Sequence, residues 1–382
     1  MSALKYWIWL AAKKGIGIIR FRELLDNFGS PEDVFLALER DYLDIRGISR
    51  AEIKELTDKD LTGANMVLSS CSQIGCRVIT LNDSEYPERL KNIYDPPPLL
   101  YINGTLPIID DEPVVGIVGT RKCTPYGLNV ARNTAYNLSQ NGVIVATGLA
   151  QGIDTAAAEG ALKGGSKVIG VIGSGLDVIF PYENKKLFSD VSYNGAVISE
   201  YPPGTPGLKS NFPARNRIIS GLSLGVAVIE APKRSGALIT AARALEQGRD
   251  VFALPGNVDA SVNEGSNALL REGATPFSSA DDIIGEYAAL YPHKLMQKKS
   301  IDNTSKVDYI DLGNLLSNLD GDEKAVMESI NSNSVPIDEI IVTTGFPASK
   351  ILSVLTLLEI NGYIGRTDSG TWKILTHAER TV

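Results

Sequence analysis

The 382-residue sequence predicts an α/β protein built around a doubly wound, mostly parallel sheet. Two observations favour this fold class. From residue 114 to residue 272, short apolar runs alternate with helical patterns, and glycine-rich turns join them. The apolar runs are continuous, as in strands that helices cover on both faces. A sheet of this kind holds its ligands beyond the carboxyl ends of its strands.

Residues 1–65 are predicted to form a separate helical module. Ser30 and Pro31 have the composition of a helix start, and Arg46–Ser49 forms a turn before the next helix. The pattern resembles helix-hairpin-helix or sterile-alpha-motif modules, although a generic helical bundle fits it at least as well. The apolar stretch Tyr6–Ala12 falls short of the ~20 residues of a membrane span, so we interpret it as a first helix rather than a signal peptide.

Residues 66–290 are predicted to carry the sheet. The predicted strands are Arg77–Leu81, Val114–Val118, Val143–Ala146, Lys167–Ile172, Ala196–Ser199, Gly225–Glu230 and Asp250–Leu254. The predicted helices are Thr124–Asn141, Asp154–Leu162, Asn184–Ser189, Ser235–Gln247 and Ala268–Glu272. Prolines exclude long helices between residues 86 and 101.

The polar residues 291–315 are predicted to form a linker, and residues 316–382 a winged-helix module. Its elements are helices Glu323–Asn331, Pro336–Thr343 and Pro347–Asn361, followed by strands Tyr363–Arg366 and Thr371–Leu375. The third helix offers DNA little positive charge beyond Lys350, and the module is rich in acidic residues. This composition favours a structural or protein-contact role over readout of the major groove.

Composition restricts the possible functions. A net charge of −8 argues against a globally basic DNA binder but leaves room for a local basic groove. Cys71, Cys76 and Cys123 form neither a disulfide framework nor a four-ligand zinc site, which indicates a cytosolic protein. Both histidines, His293 and His377, lie outside the glycine-rich region, so a Ser-His or Cys-His nucleophile cannot be built there.

Four glycine-rich turns are predicted to meet at one edge of the sheet. They are Gly116–Arg121, Thr147–Asp154, Gly170–Gly175 and Glu230–Ala237. Glycine turns at helix N-termini point backbone N–H groups at anions, so together they predict a phosphate-binding crevice. The turns match neither the P-loop nor the dinucleotide pattern, which argues against ATP and against hydride transfer.

The stretch from Lys209 to Ser220 combines cations with an aromatic ring. Lys209, Arg215 and Arg217 surround Phe212 in sequence, which is the composition of a single-strand site. The competing interpretation puts Phe212 in the core and pairs Arg217 with an acid such as Glu230. Composition leaves both interpretations open.

These motifs resemble those of the DNA-processing DprA/Smf family over roughly residues 75–287. The matching motifs are Gly119–Arg121, Tyr126–Gly127, Gly148–Asp154, Gly173–Asp177, Ser199–Gly204, Phe212–Ser223, Glu230–Ala231, Ser235–Ala241, Gly248–Phe252 and Pro255–Gly256. The resemblance implies a dimeric protein that binds single-stranded DNA, loads the RecA recombinase and supports natural transformation. It also implies that neither a nucleotide nor a metal is needed.

The resemblance further implies roles for individual residues. Arg121 and Lys209 would contact phosphates, Phe212 would contact a base, and Arg215 and Asn216 would shape the pocket. The other candidates for nucleic-acid contact are Gly119, Thr120, Gly148, Gly152, Gly173, Lys185, Lys186, Asn211, Ser235 and Gly236.

The chain departs from the family pattern at two places. Ala158 replaces a histidine that is common after Gly-Ile-Asp, and Glu159 adds negative charge beside it. Tyr182 stands where a basic residue is frequent, with Lys185 and Lys186 a turn later as possible substitutes.

Two other functions fit a Rossmann-like sheet. A nucleoside-monophosphate phosphoribohydrolase would use Glu230 or Glu200 as acid or base. However, Pro255–Asn257 diverges from the Pro-Gly-Gly-x-Gly-Thr turn of such enzymes. A small-ligand sensor with a winged-helix output ranks below the enzyme.

Overall fold

The computed structural model divides into two compact units, Met1–Gln297 and Lys298–Val382. The structure describes residues 3–295, 319–330, 335–361, 363–367 and 370–374. Most of the predicted linker (296–315), together with Asn331, Leu375 and His377, therefore lies outside the described residues.

The first unit begins with a helical module, as predicted. Its helices are α1 (Leu4–Ala11), α2 (Ile18–Phe28), α3 (Pro31–Leu36), α4 (Glu39–Tyr42), α5 (Arg50–Thr57) and α6 (Thr62–Ile74). The Ser30 cap is confirmed, because its hydroxyl accepts a hydrogen bond from the Asp33 amide at 3.1 Å. The ring centroids of Trp7 and Phe21 lie 5.5 Å apart in the core. Helix α6 crosses the boundary predicted between residues 65 and 66, and the division into domains stays a prediction.

A nine-stranded sheet forms the centre of this unit. Its strands are β1 (Arg77–Thr80), β2 (Leu99–Gly104), β3 (Val114–Val118), β4 (Ile144–Thr147), β5 (Val168–Ile172), β6 (Gly195–Ser199), β7 (Gly225–Val228), β8 (Asp250–Ala253) and β9 (Thr275–Pro276). Their order is β1-β2-β6-β5-β4-β3-β7-β8-β9. Pairing is parallel from β6 to β9 and antiparallel on both sides of β2, so the mostly parallel sheet is confirmed.

Helices cover both faces of the sheet. They are α7 (Glu88–Lys91), α8 (Pro125–Gln140), α9 (Ile153–Gly164), α10 (Lys185–Tyr193), α11 (Asn211–Leu222), α12 (Gly236–Glu246), α13 (Glu264–Arg271) and α14 (Ala280–Tyr287). Val114 and Val118 share a core with α11, α12 and the N-terminal module, whereas Val115 and Ile117 face α8, α9, α10 and α14. This two-sided burial explains the continuous apolar runs.

The sequence prediction missed β2, β9, α7, α11 and α14, and two of these show the reason. Strand β2 follows three prolines, which mark a break in regular structure but leave the next residue free to start a strand. Helix α11 contains Pro213, which its first turn tolerates because the N–H groups there have no intrahelical acceptor. The Phe212 stretch is therefore the start of a helix.

The second unit has the predicted winged-helix elements. They are α15 (Gly321–Ser329), α16 (Ile337–Thr344), α17 (Ala348–Ile360) and the antiparallel pair β10 (Ile364–Arg366) and β11 (Trp372–Ile374). Val335 bridges to Trp372, which joins the segment before α16 to the hairpin. Among the described residues no single helix is long and apolar enough to cross a membrane, although α16 and α17 pass that test as a bent pair.

Candidate nucleic-acid interface

A cleft of about 660 Å³ opens at the carboxyl ends of the parallel strands. The chain runs from β3 through β4 and β5 to β6 on one side, then returns to place β7 and β8 on the other. Strand order thus reverses beside β3, and a reversal of this kind is where doubly wound sheets bind ligands. The cleft is lined by the turn after β3, the first turns of α11 and α12, and the loop before α11.

Cations dominate the charged lining of this cleft. Arg121, Lys122, Lys209 and Arg234 are all exposed and line it. Within the described residues, no carboxylate lies within 4.0 Å of any of these four side chains. The lining acid Asp154 is 6% exposed. The cleft is therefore locally basic on a chain of net charge −8.

Two aromatic rings stand at the mouth of the cleft. The Arg121 guanidinium lies 5.0 Å from the centroid of the half-buried Phe212 ring. Phe180 is 53% exposed, and its ring centroid is 6.0 Å from that of Phe212. A side pocket of about 60 Å³ adjoins both rings and is lined by Gly148 and Gly173. Accessible rings beside cations are suited to stacking on bases.

The structure agrees with one part of each interpretation of the Phe212 stretch. Phe212 borders the cleft and is not a core residue. Arg217 pairs with Glu200 at 2.7 Å and with Asp95 at 3.2 Å, away from the cleft lining. Arg217 thus pairs with acids, as the competing interpretation expected, but the acids are Glu200 and Asp95 and not the suggested Glu230.

Arg215 and Asn216 hold the walls of the cleft together. The buried Arg215 guanidinium donates to the carbonyl oxygens of Gly148, at 2.8 Å, and of Val171. The Asn216 amide group donates to the Gly236 carbonyl oxygen at 3.2 Å, and its oxygen accepts from Arg215 Nε at 3.2 Å. These bonds tie the ends of β4 and β5 to α11 and α12, which supports the predicted shaping role.

A buried carboxyl group lies beneath the same walls. Asp154 accepts a hydrogen bond from the Gly148 amide at 3.1 Å. Burial raises the pKa of Asp154 to about 6, although the nearby Arg215 charge opposes this rise. Burial also lowers the pKa of Arg215, which stays charged at neutral pH.

Gly152 and Gly119 allow the turns to approach closely. Gly152 has φ +88°, and a Cβ there would lie 2.6 Å from the Thr120 carbonyl oxygen and 2.8 Å from that of Arg121. A Cβ on Gly119 would lie 2.5 Å from Ile153. These contacts fix the backbone that carries Arg121.

Backbone N–H groups at helix starts complete the lining. The Ser235 hydroxyl caps α12 by accepting from the Ala237 amide at 3.2 Å, and an added Cβ on Gly236 would meet open space. The Thr120 hydroxyl accepts from the Lys122 amide at 3.2 Å. Ser235, Gly236 and Ala237 at the start of α12 line the cleft, so the positive end of the α12 dipole faces it.

Other predicted residues lie outside this lining. Gly152 packs against the backbone of Thr120 and Arg121 without lining the cleft. The buried Asn211 donates to the Gly173 carbonyl oxygen at 3.1 Å. Lys185 and Lys186 are exposed in the first turn of α10, beyond the lining residues of the cleft and the side pocket. Their contact with DNA stays a prediction.

The departure from the family pattern at Ala158 and Glu159 concerns residues outside the cleft. Ala158 is fully buried in α9 and packs in the core beneath the sheet. The Glu159 carboxylate pairs with Arg132 of α8 at 3.2 Å, which offsets its charge. Neither residue lines the cleft.

Sequence reasoning missed Lys122, Phe180 and Arg234 as lining residues. Lys122 directly follows the Gly119–Arg121 motif, and Arg234 directly precedes Ser235. A search for cations adjacent to the glycine turns would have found both. Phe180 lies in another loop, and its approach to Phe212 depends on the fold.

The two glutamates considered for catalysis are engaged by neighbouring groups. Glu230 is 1% exposed and accepts from the Thr124 amide at 2.9 Å and from its hydroxyl at 2.6 Å. Glu200 accepts two hydrogen bonds from Arg217. Neither carboxylate lines the cleft.

Comparisons with known proteins agree with this architecture. The DNA recombination-mediator protein A family matches residues 77–288, and the DprA winged helix domain matches residues 314–370. Protein Smf of Synechocystis sp. is 31% identical over 386 residues, which cover 96% of this chain and 97% of the relative.

Two solved structures are also similar. DNA processing protein A from Streptococcus pneumoniae has a TM-score of 0.65 at 38% identity, covering 74% of this chain and 97% of that one. DNA processing protein A from Helicobacter pylori, whose structure concerns its unique single-stranded DNA binding mode, has a TM-score of 0.51 at 31% identity. That match covers 56% of this chain and 97% of the other.

Proposed function

The chain belongs to the DNA recombination-mediator protein A (DprA/Smf) family, and from this premise we propose that it binds single-stranded DNA in the cleft. The observation that carries the proposal is the Arg121 guanidinium over the Phe212 ring, 5.0 Å from its centroid, in a cleft with four exposed cations. Phosphates would contact the cations while a base stacks on the ring.

The arrangement favours a single strand over a duplex. Stacking on Phe212 needs an unpaired base whose face is free, and duplex bases are already stacked on each other. The Lys209 side chain and the start of α12 would follow the phosphate backbone on either side of the ring. We propose a binding role without catalysis, because the side chains that face the cleft supply charge and stacking.

We further propose that the bound strand is delivered to the RecA recombinase by a homodimer, in support of recombination and natural transformation. The family's role as a recombination mediator supports this step. We place the activity in the cytosol, where RecA acts. Acceleration of RecA-dependent strand exchange by the full chain, but not by Arg121→Ala, would support the delivery step. Sedimentation of a single monomeric species would contradict the dimer.

The binding proposal is tested by fluorescence anisotropy with labelled single- and double-stranded oligonucleotides. We expect tighter binding of the single strand, with affinity that falls steeply as salt is raised. Lys163→Ala is a matched control, because this exposed lysine lies near the far end of α9, about 15 Å along the helix from Ile153 at the cleft end. Equal affinity for both forms, or equal losses in Arg121→Ala and Lys163→Ala, would contradict the proposal.

A further inference from the structure

We propose that Cys71 and Cys76 form a redox-active dithiol that a hydroperoxide converts into an intramolecular disulfide. Both thiols are free in this structure, and both side chains are buried in the same core cluster. The spacing of the two residues in the sequence does not predict a bond. The end of helix α6 brings them together.

The helix ends in a left-handed cap at Gly75, with φ +69°. The amides of Gly75 and Cys76 both donate to the Cys71 carbonyl oxygen, the second at 3.0 Å. In this type of helix end, the residue after the glycine, here Cys76, frequently contacts the residue four positions before the glycine, here Cys71. Standard bond lengths keep the two Cα atoms within about 6.9 Å, and disulfides need roughly 4.4–6.8 Å.

The two thiols differ in acidity, which assigns one as the nucleophile and the other as the resolving thiol. A hydrogen bond from the Cys71 thiol lowers the pKa of Cys76, and the same bond raises the pKa of Cys71. Cys76 is therefore the better nucleophile and Cys71 the resolving thiol. Cys123 has no such neighbour, and burial raises its pKa.

Small oxidants can reach the pair. Cys71 is 4% and Cys76 9% exposed, but Gly75 and Arg77 on either side of Cys76 are exposed. Strand β1, which starts at Arg77, is the edge strand of the sheet. Because the neighbours of Cys76 on both sides are exposed, we expect hydrogen peroxide to reach the thiols and bulky reagents to be excluded.

The reaction balances with a hydroperoxide as the oxidant. The Cys76 thiolate attacks one peroxide oxygen, the O–O bond breaks, and the departing hydroxide takes a proton to become water. The Cys71 sulfur then attacks the sulfenic sulfur of Cys76, and a second water leaves with the Cys71 proton. Two thiols lose two hydrogens, and hydrogen peroxide is reduced to water. A dithiol reductant reverses the bond by exchange.

Tryptic peptides separate the pair from the control cysteine. Residues 60–77 contain both Cys71 and Cys76, and residues 123–132 contain Cys123. The full-length protein is treated with hydrogen peroxide, unfolded, alkylated and digested, and the peptides are weighed. Met66 is 65% exposed and gains oxygen independently, so the pair is scored by loss of two hydrogens and of both alkyl groups.

We expect peptide 60–77 to become lighter by two hydrogens and unalkylated, while Cys123 stays alkylated. Dithiothreitol should restore both alkylation sites. Cys76→Ser should abolish the hydrogen loss, and Cys123→Ser should preserve it. Two alkyl groups retained on peptide 60–77 at doses that oxidise Cys123, or oxygen added to its cysteines without hydrogen loss, would overturn the proposal.

Discussion

The cleft and the winged-helix module use their cations differently. In the cleft, Arg121 and Lys209 are exposed, and no carboxylate of the described residues lies within 4.0 Å of them. In the module, Lys350 on α17 pairs with Asp322 at 2.8 Å and lies 4.2 Å from the Phe346 ring centroid.

The difference shows that the number of cations is a poor guide to nucleic-acid binding. A cation that is paired with a carboxylate must break that pair before it can neutralise a phosphate. An unpaired cation can neutralise the phosphate at once and so release the counterions bound to the DNA. A chain of net charge −8 can therefore carry a basic cleft, and a lysine on a helix of the winged-helix module need not contact DNA.

The largest effect is expected from Gly152→Ala. The new Cβ would meet the carbonyl oxygens of Thr120 and Arg121 at 2.6 and 2.8 Å, in a backbone conformation that costs alanine about 1–3 kcal/mol. We expect single-strand affinity to fall at least about tenfold as the Arg121 turn shifts. Gly285→Ala is the control, because its Cβ meets no atom within 4 Å. Equal affinities of the two variants in anisotropy titrations would contradict this role.

The buried carboxyl group predicts a pH dependence of folding. The pKa of Asp154 is about 6 when folded, against 3.8 ordinarily. Between pH 4 and 6 the unfolded chain releases a proton that the folded chain keeps, so this group's contribution to stability falls as pH rises. The loss reaches up to about 3 kcal/mol at 1.36 kcal/mol per pKa unit.

Asp154→Asn removes this titration and keeps an oxygen for the Gly148 amide. The unfolding free energy of the wild type relative to the variant, from urea denaturation, should therefore decrease from pH 4.5 to pH 7. A difference that stays constant or increases over this range would show that Asp154 does not titrate as described.

Phe212→Ala should weaken binding without changing its salt dependence. Stacking contributes about 1–3 kcal/mol per base to binding. Because stacking neutralises no phosphate and releases no counterions, its loss should leave the salt slope unchanged. Tyr193→Ala is the matched control, because this ring is 90% exposed at the end of α10. Anisotropy over a salt series measures both quantities, and a flatter salt slope in Phe212→Ala would count against stacking.

The smallest effect is expected from Lys350→Ala. The lysine and Asp322 side chains are 40% and 45% exposed, so their ion pair contributes only about 0.2–1 kcal/mol to stability. Single-strand affinity should stay within about twofold of the wild type, because the lysine is already paired. A loss of fivefold or more in the same titration would place a DNA contact on the winged-helix module.

The sequence predicted the sheet because burial on both faces leaves a direct signal in continuous apolar runs. Strand β2 and the helical start at Asn211 were missed, since prolines near them look like breaks in isolation. The C-terminal helices and hairpin were predicted because their apolar spacing and turn residues are local.

The candidate site was predictable where its residues lie within one motif. Arg121, Lys209 and Phe212 stand in stretches that combine glycine turns, cations and a ring. The burial of Arg215 and the approach of Phe180 were not predictable, because both depend on contacts between segments distant in sequence. The cysteine pair shows the same limit at short range, because only the helix cap brings its thiols together.

The most direct test of the account compares the salt slopes of single-strand binding for Arg121→Ala, Lys209→Ala and Lys163→Ala. Each cation that neutralises a phosphate adds about 0.7 to the slope of log affinity against log salt on a single strand. We predict that the slope drops by about this amount in each of the first two variants and stays at the wild-type value in Lys163→Ala. Unchanged slopes in both cleft variants would contradict the claim that this cleft holds the DNA backbone.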